Sequence, residues 1–133
     1  MKPLTFLLFT FIILFTGCGK STIDSPNAPE GLLHWNVSKV EGPNSGFVNQ
    51  SVILDVYCPT SSGCDYISKL VADRSGKTIS IRAYGNTLIN SPCTMAATPK
   101  IVKFEFTPDE KGQFILKFIS RDNSVIIHNL TIR

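Results

Sequence analysis

No segment of this chain sets apolar residues at helical spacing over a useful length, so helices are not expected to build its core. Charge is sparse and mixed: 13 Lys and Arg against 10 Asp and Glu give a net +3, with the cations spread along the chain. Without a basic cluster there is no electrostatic footprint for nucleic acid. Paired carboxylates are missing too. Asp73, Asp109, Glu110 and Asp122 stand mostly among turn residues, where acids cap or solvate. His34 and His128 occur in no motif with serine or cysteine, so the nucleophile–base pair an enzyme needs is not discernible and catalysis is not expected. Metal chemistry meets a similar obstacle. Cys93-Thr94-Met95 lacks the intervening histidine of a copper loop, and Cys58, Cys64 and Cys93 lack the close paired spacing of structural zinc sites. Gly19-Lys20-Ser21 looks like the end of a phosphate loop, but Leu14 stands where that loop needs its first glycine. No metal, cofactor or nucleotide is expected.

What is present begins at the N-terminus. Met1–Gly17 lays out a secretory signal: Lys2 beside the amino terminus, an uncharged run Leu4–Phe15, and the small Gly17 at the cut. The run is too short for a stable spanning helix, which needs about 20 apolar residues. Cys18 follows directly, and Phe15-Thr16-Gly17-Cys18 resembles the lipobox of bacterial lipoproteins, with Phe15 in the place usually held by leucine. In that family the cysteine is thioether-linked to diacylglycerol and becomes the first residue of the mature chain. The resemblance implies a bacterial envelope protein attached to the membrane through lipid on Cys18. Gly19 is not the aspartate that favours retention in the inner membrane, so the outer membrane is the expected residence. Three glycosylation sequons (at Asn36, Asn49 and Asn129) are then read as chance. Gly19–Gly31 is small and polar with Pro26 and Pro29, the composition of a tether. The chain divides into a signal peptide, 1–17, a lipidated cysteine and flexible linker, 18–31, and a single domain, 32–133.

From Leu32 onward the apolar period is two. Seven strands are predicted: Leu33–Val40, Ser51–Cys58, Tyr66–Ala72, Thr78–Tyr84, Ile101–Thr107, Gln113–Ser120 and Val125–Arg133. Tyr66–Asp73 would also suit two helical turns. A turn-rich stretch, Gly85–Pro99, carries Cys93. Short, regularly spaced strands in about 100 residues argue for a two-sheet antiparallel β-sandwich.

Export places the cysteines in an oxidising compartment, where one pair beyond Cys18 closes and one thiol remains. Cys58 falls in phase with Val52, Leu54 and Val56 and reads as a buried, inert thiol. Cys64 and Cys93 lie beside turn residues, where two loops can meet. A Cys58–Cys64 bridge would close a shorter loop and draw Cys58 from the core, so Cys64–Cys93 is the favoured pairing.

Thr107-Pro108-Asp109-Glu110-Lys111-Gly112-Gln113-Phe114 resembles the E–F corner of immunoglobulin-like domains. Phe114 replaces the usual tyrosine, and Leu116 stands where antibody domains place a cysteine, so both the hydroxyl anchor and the inter-sheet disulfide are missing. Together with Val40-Glu41-Gly42-Pro43, Val48-Asn49-Gln50-Ser51-Val52, Gly63-Cys64-Asp65-Tyr66 and Cys93-Thr94, the layout is similar to that of small bacterial surface lipoproteins with one immunoglobulin-like domain. That resemblance implies pairing of the positions matching Cys64 and Cys93 and brings no established chemistry.

One feature stands above this background. If Phe114, Leu116 and Phe118 face the core, Ile115 and Ile119 face outward. Turning Ile126, Leu130 and Ile132 inward leaves Val125 and Ile127 outward. Ile115, Ile119, Val125 and Ile127 would then form an exposed apolar patch, broken only by Lys117, of the kind that marks a contact surface. The reading is a lipid-anchored, non-catalytic interaction module, with a second envelope or surface protein as partner. The alternative is a small envelope inhibitor that blocks an enzyme with the loop within Gly85–Pro99.

Overall fold

The computed structural model describes residues 29–133. The signal peptide 1–17, the lipidation candidate Cys18 and the tether up to Ala28 lie outside the described residues. Within them the strands are β1 (Leu33–His34), β2 (Lys39–Glu41), β3 (Ser45–Gly46), β4 (Val52–Cys58), β5 (Asp65–Ser75), β6 (Thr78–Thr87), β7 (Lys100–Phe106), β8 (Gly112–Ile119) and β9 (Val125–Ile132). They form a six-stranded sheet, with β6 joined to β5, β1 and β8 and continuing through β9 to β3, and a three-stranded sheet β2-β4-β7. The described residues form an all-β two-sheet sandwich.

The core is what the period of two requires. Leu54, Val56 and Cys58 from the smaller sheet face Ile81, Ala83, Phe114, Leu116, Phe118 and Leu130 from the larger, all fully buried. Phe104 meets Phe118 edge-to-face across the interior at 5.7 Å between ring centroids. Each large side chain so buried stabilises the fold by about 1.5–3 kcal/mol relative to exposure.

Three particulars differ from the sequence expectation. The predicted first strand, Leu33–Val40, is two strands in different sheets, because the chain crosses the sandwich at Val37. There the backbone pairs with a side chain: Val37 N–H donates to Ser120 Oγ at 3.0 Å, and the Ser120 hydroxyl donates to Val37 O at 3.1 Å. The gap left between the predicted strands Tyr66–Ala72 and Thr78–Tyr84 is mostly strand. β5 runs to Ser75 and pairs with Thr78, which leaves a two-residue loop whose first member, Gly76, takes φ 61°.

Strand direction is the third difference. The wholly antiparallel arrangement does not hold: β6 runs parallel to β8, and β3 parallel to β9. Of the β5–β6 hairpin, β6 is the strand that turns Ile79, Ile81 and Ala83 into the core. β5 carries Lys69, Asp73 and Arg74 and stays at the edge. An immunoglobulin domain places the earlier strand of such a hairpin beside strand F; here the later one takes that position and so runs the same way.

Candidate functional site

β4, β6 and β8 all finish at one end of the sandwich, so the β4–β5, β6–β7 and β8–β9 loops gather there with the chain's first described residues. The β4–β5 loop is built around Asp65, which is 2% exposed. Asp65 Oδ2 accepts from Ser61 N (2.6 Å), Ser61 Oγ (2.9 Å) and Ser62 N (3.0 Å), and Oδ1 accepts from Thr87 Oγ1 (2.6 Å). These bonds, the Thr87 hydroxyl first among them, hold the Asp65 carboxyl down at about 2 despite its burial. The carboxylate thus fixes its own loop and ties it to the end of β6.

That loop in turn holds the β6–β7 loop. Gly85–Thr87, expected among the turns, belong to β6. β5 bulges at Ile67–Lys69 and brings Tyr66 O so close to Gly85 that no Cβ fits there. The loop proper is 88–99, and it is stapled at its start, middle and end. Leu88 N–H donates to Cys64 O (3.1 Å), and a disulfide joins Cys64 to Cys93. Gly63 N–H donates to Thr94 O (3.0 Å), and Thr60 Oγ1 donates to Thr98 O (2.7 Å). Between the staples Ile89 is 83% exposed and Met95 96%. From Leu88 to Pro99 there is no charged residue.

The outward-facing residues on the last two strands follow the expected alternation. Ile119 pairs with Val125, Lys117 with Ile127, and Ile115 with Asn129. Val125 is 47% exposed and Ile127 58%, while Ile115 and Ile119 are half-buried. Ile119, Val125 and Ile127 are therefore contiguous, and Ile115 lies beyond Lys117.

A shallow cleft of about 390 Å³ at the same pole is lined by Leu33, Trp35, Pro59, Thr87 and Arg121 among others. Trp35 Nε1–H donates to Pro59 O at 2.7 Å, so the indole braces the cleft wall. The histidines are spent on backbone carbonyls: His34 Nε2–H donates to Ile119 O (2.9 Å) and His128 Nε2–H to Pro43 O (3.0 Å). Cys58 is a free thiol, fully buried among apolar side chains, and burial pushes it up to about 11, which keeps it protonated and inert. Of the acids, Asp109 and Glu110 pair with Arg74, Asp73 with Arg82, and Asp122 accepts from Ser124. Among the described residues no three His, Cys, Asp or Glu stand close enough to hold a metal ion.

Asp65 is the residue that sequence reasoning missed. Its signal was the pair Ser61-Ser62 just ahead of an aspartate, a pattern in which a carboxylate caps its own loop. Fold and pole together define a β-sandwich with one disulfide-stapled, uncharged loop surface. No family model, curated protein or solved structure matches the chain.

Proposed function

We propose that the protein is a lipid-anchored component of a bacterial cell envelope, resident in the outer membrane, that works by contact and not by catalysis. The outer face of the larger sheet is its contact surface. The observation that carries the reading is the exposure of Val125 and Ile127, at 47% and 58%, beside the outward Ile119. Apolar side chains grouped on one water-facing sheet surface mark a place for a partner. Anchoring is supported by Cys18 directly after the small Gly17 at the end of an apolar run. Two or more acyl chains there hold a protein stably where one is marginal.

The test is Val125→Lys with Ile127→Lys in the full chain. Val125 is 47% exposed and Ile127 58%, so stability should change by about 1 kcal/mol or less. A partner that co-purifies from detergent-solubilised envelope with the unaltered protein should be lost. Retention of that partner, or a collapse of folding, would remove the contact surface from the proposal.

A further inference from the structure

We infer that the tip of loop 88–99 seats in the membrane surface, so that the domain stands on its disulfide pole with Ile89 and Met95 among the lipids. The inference rests on the anchoring of Cys18 proposed above. Its own support is the placement of the loop. Leu88, Ile89 and Met95 are 52%, 83% and 96% exposed on a stretch without a single charge. Large apolar side chains held in water this way are costly unless something covers them. The staples at Leu88, Cys93, Thr94 and Thr98 give the loop a fixed shape in which those side chains project.

The chain from Cys18 arrives at that very place. Leu33 pairs with Gly85, and Asn86 Nδ2 donates to Gly31 O at 3.2 Å, which puts Gly31 beside the strand end from which Leu88 departs. Ten residues separate Cys18 from Pro29, so the first described residue lies at most about 40 Å from the lipidated sulfur. The pole carrying the apolar loop is thus the part of the domain at which the tether enters, within reach of the bilayer.

Charge decides between insertion and electrostatic attraction. In the segments flanking the loop, Lys100 and Arg121 are offset by Glu30 and Asp122. No net positive field draws the pole to anionic headgroups, so the seating is apolar and insensitive to salt. Standing on this pole, the domain presents Val125 and Ile127 sideways, toward a partner held in the same membrane.

The experiment uses the full mature protein in phosphatidylethanolamine–phosphatidylglycerol vesicles containing a phospholipid with a photoactivatable acyl chain. Cross-links should map to Leu88–Pro99 and persist in high salt. Ile89→Asp with Met95→Asp should lower them by about tenfold or more, given what burying such side chains is worth. An intact Cys64–Cys93 bridge and an unchanged melting temperature in that variant would show that the loss is not unfolding. The mass of the mature N-terminus is read on the same sample. An acylated Cys18 with an unlabelled loop, or with labelling on the Val125–Ile127 face alone, overturns the seating and leaves the anchoring intact. A soluble envelope enzyme that protects the loop and loses activity on doing so also overturns it. An unmodified Cys18 overturns the anchoring reading itself.

Discussion

At the disulfide pole, loop 88–99 is charge-free and held by a covalent bond, a buried carboxylate's loop and backbone hydrogen bonds. At the opposite pole, the β5–β6 turn and the corner before β8 are laced by exposed charges. Arg74 pairs with Asp109 at 2.7 Å and Glu110 at 3.4 Å, and Lys77 Nζ donates to Lys111 O at 2.8 Å. Both devices join two loops, yet they suit different surroundings. Exposed ion pairs hold little but keep a surface soluble, whereas a bridge and a desolvated carboxylate hold loops without presenting charge. One pole is made to face water, the other to meet something apolar while keeping its shape.

Removing the bridge should have the largest effect. Cys64→Ser with Cys93→Ser frees a segment with a sequence separation of 29. The chain-entropy account then predicts a loss of about 3–4 kcal/mol, readable as a shift of the urea midpoint. Asp65→Ala comes next. It strands the donors of Ser61, Ser62 and Thr87, and a loss of about 2–3 kcal/mol is expected. The same carboxylate makes the pole acid-sensitive. Its pKa is lowered from the ordinary 3.8 to about 2 on folding, so its contribution is complete above pH 4. That contribution, about 2 kcal/mol, disappears as pH falls through the folded value. Asp65→Asn should flatten the stability profile between pH 4 and 2. An unchanged profile would mean that the loop is not organised by this charge, and the contrast between the poles would lose its basis.

The sequence made much of this legible, and the losses have a common cause. Alternation in Val52–Cys58, Ile101–Phe106 and Phe114–Phe118 identified those strands and their inward faces, because side-chain direction in a strand is a local property. The Cys64–Cys93 pairing was readable from turn residues that bring two loops together. What escaped depends on distant partners. Nothing near Val37 indicates that Ser120 captures its backbone. The hairpin's two strands are both apolar enough that spacing does not say which one adjoins β8. Asp65 follows a run of turn residues, and only Thr87 and the closing loop bury it.

The smallest expected effect lies at the charged pole and tests the comparison from its other side. Arg74 is 36% exposed along its side chain, while Asp109 and Glu110 are 65% and 50% exposed. Its guanidinium also lies 5.4 Å from the centre of the Phe114 ring. Arg74→Ala should therefore lower the urea midpoint only slightly, and Asp109→Asn by less still. Screening in 1 M salt should shrink the second difference toward zero and leave part of the first, because the contact with Phe114 does not depend on distant fields. If Arg74→Ala instead cost as much as Asp65→Ala, the corner would be a structural clamp equal to the disulfide pole. The two ends of the sandwich would then differ in chemistry but not in strength, and the absence of charge from loop 88–99 would need a cause other than the surface it meets.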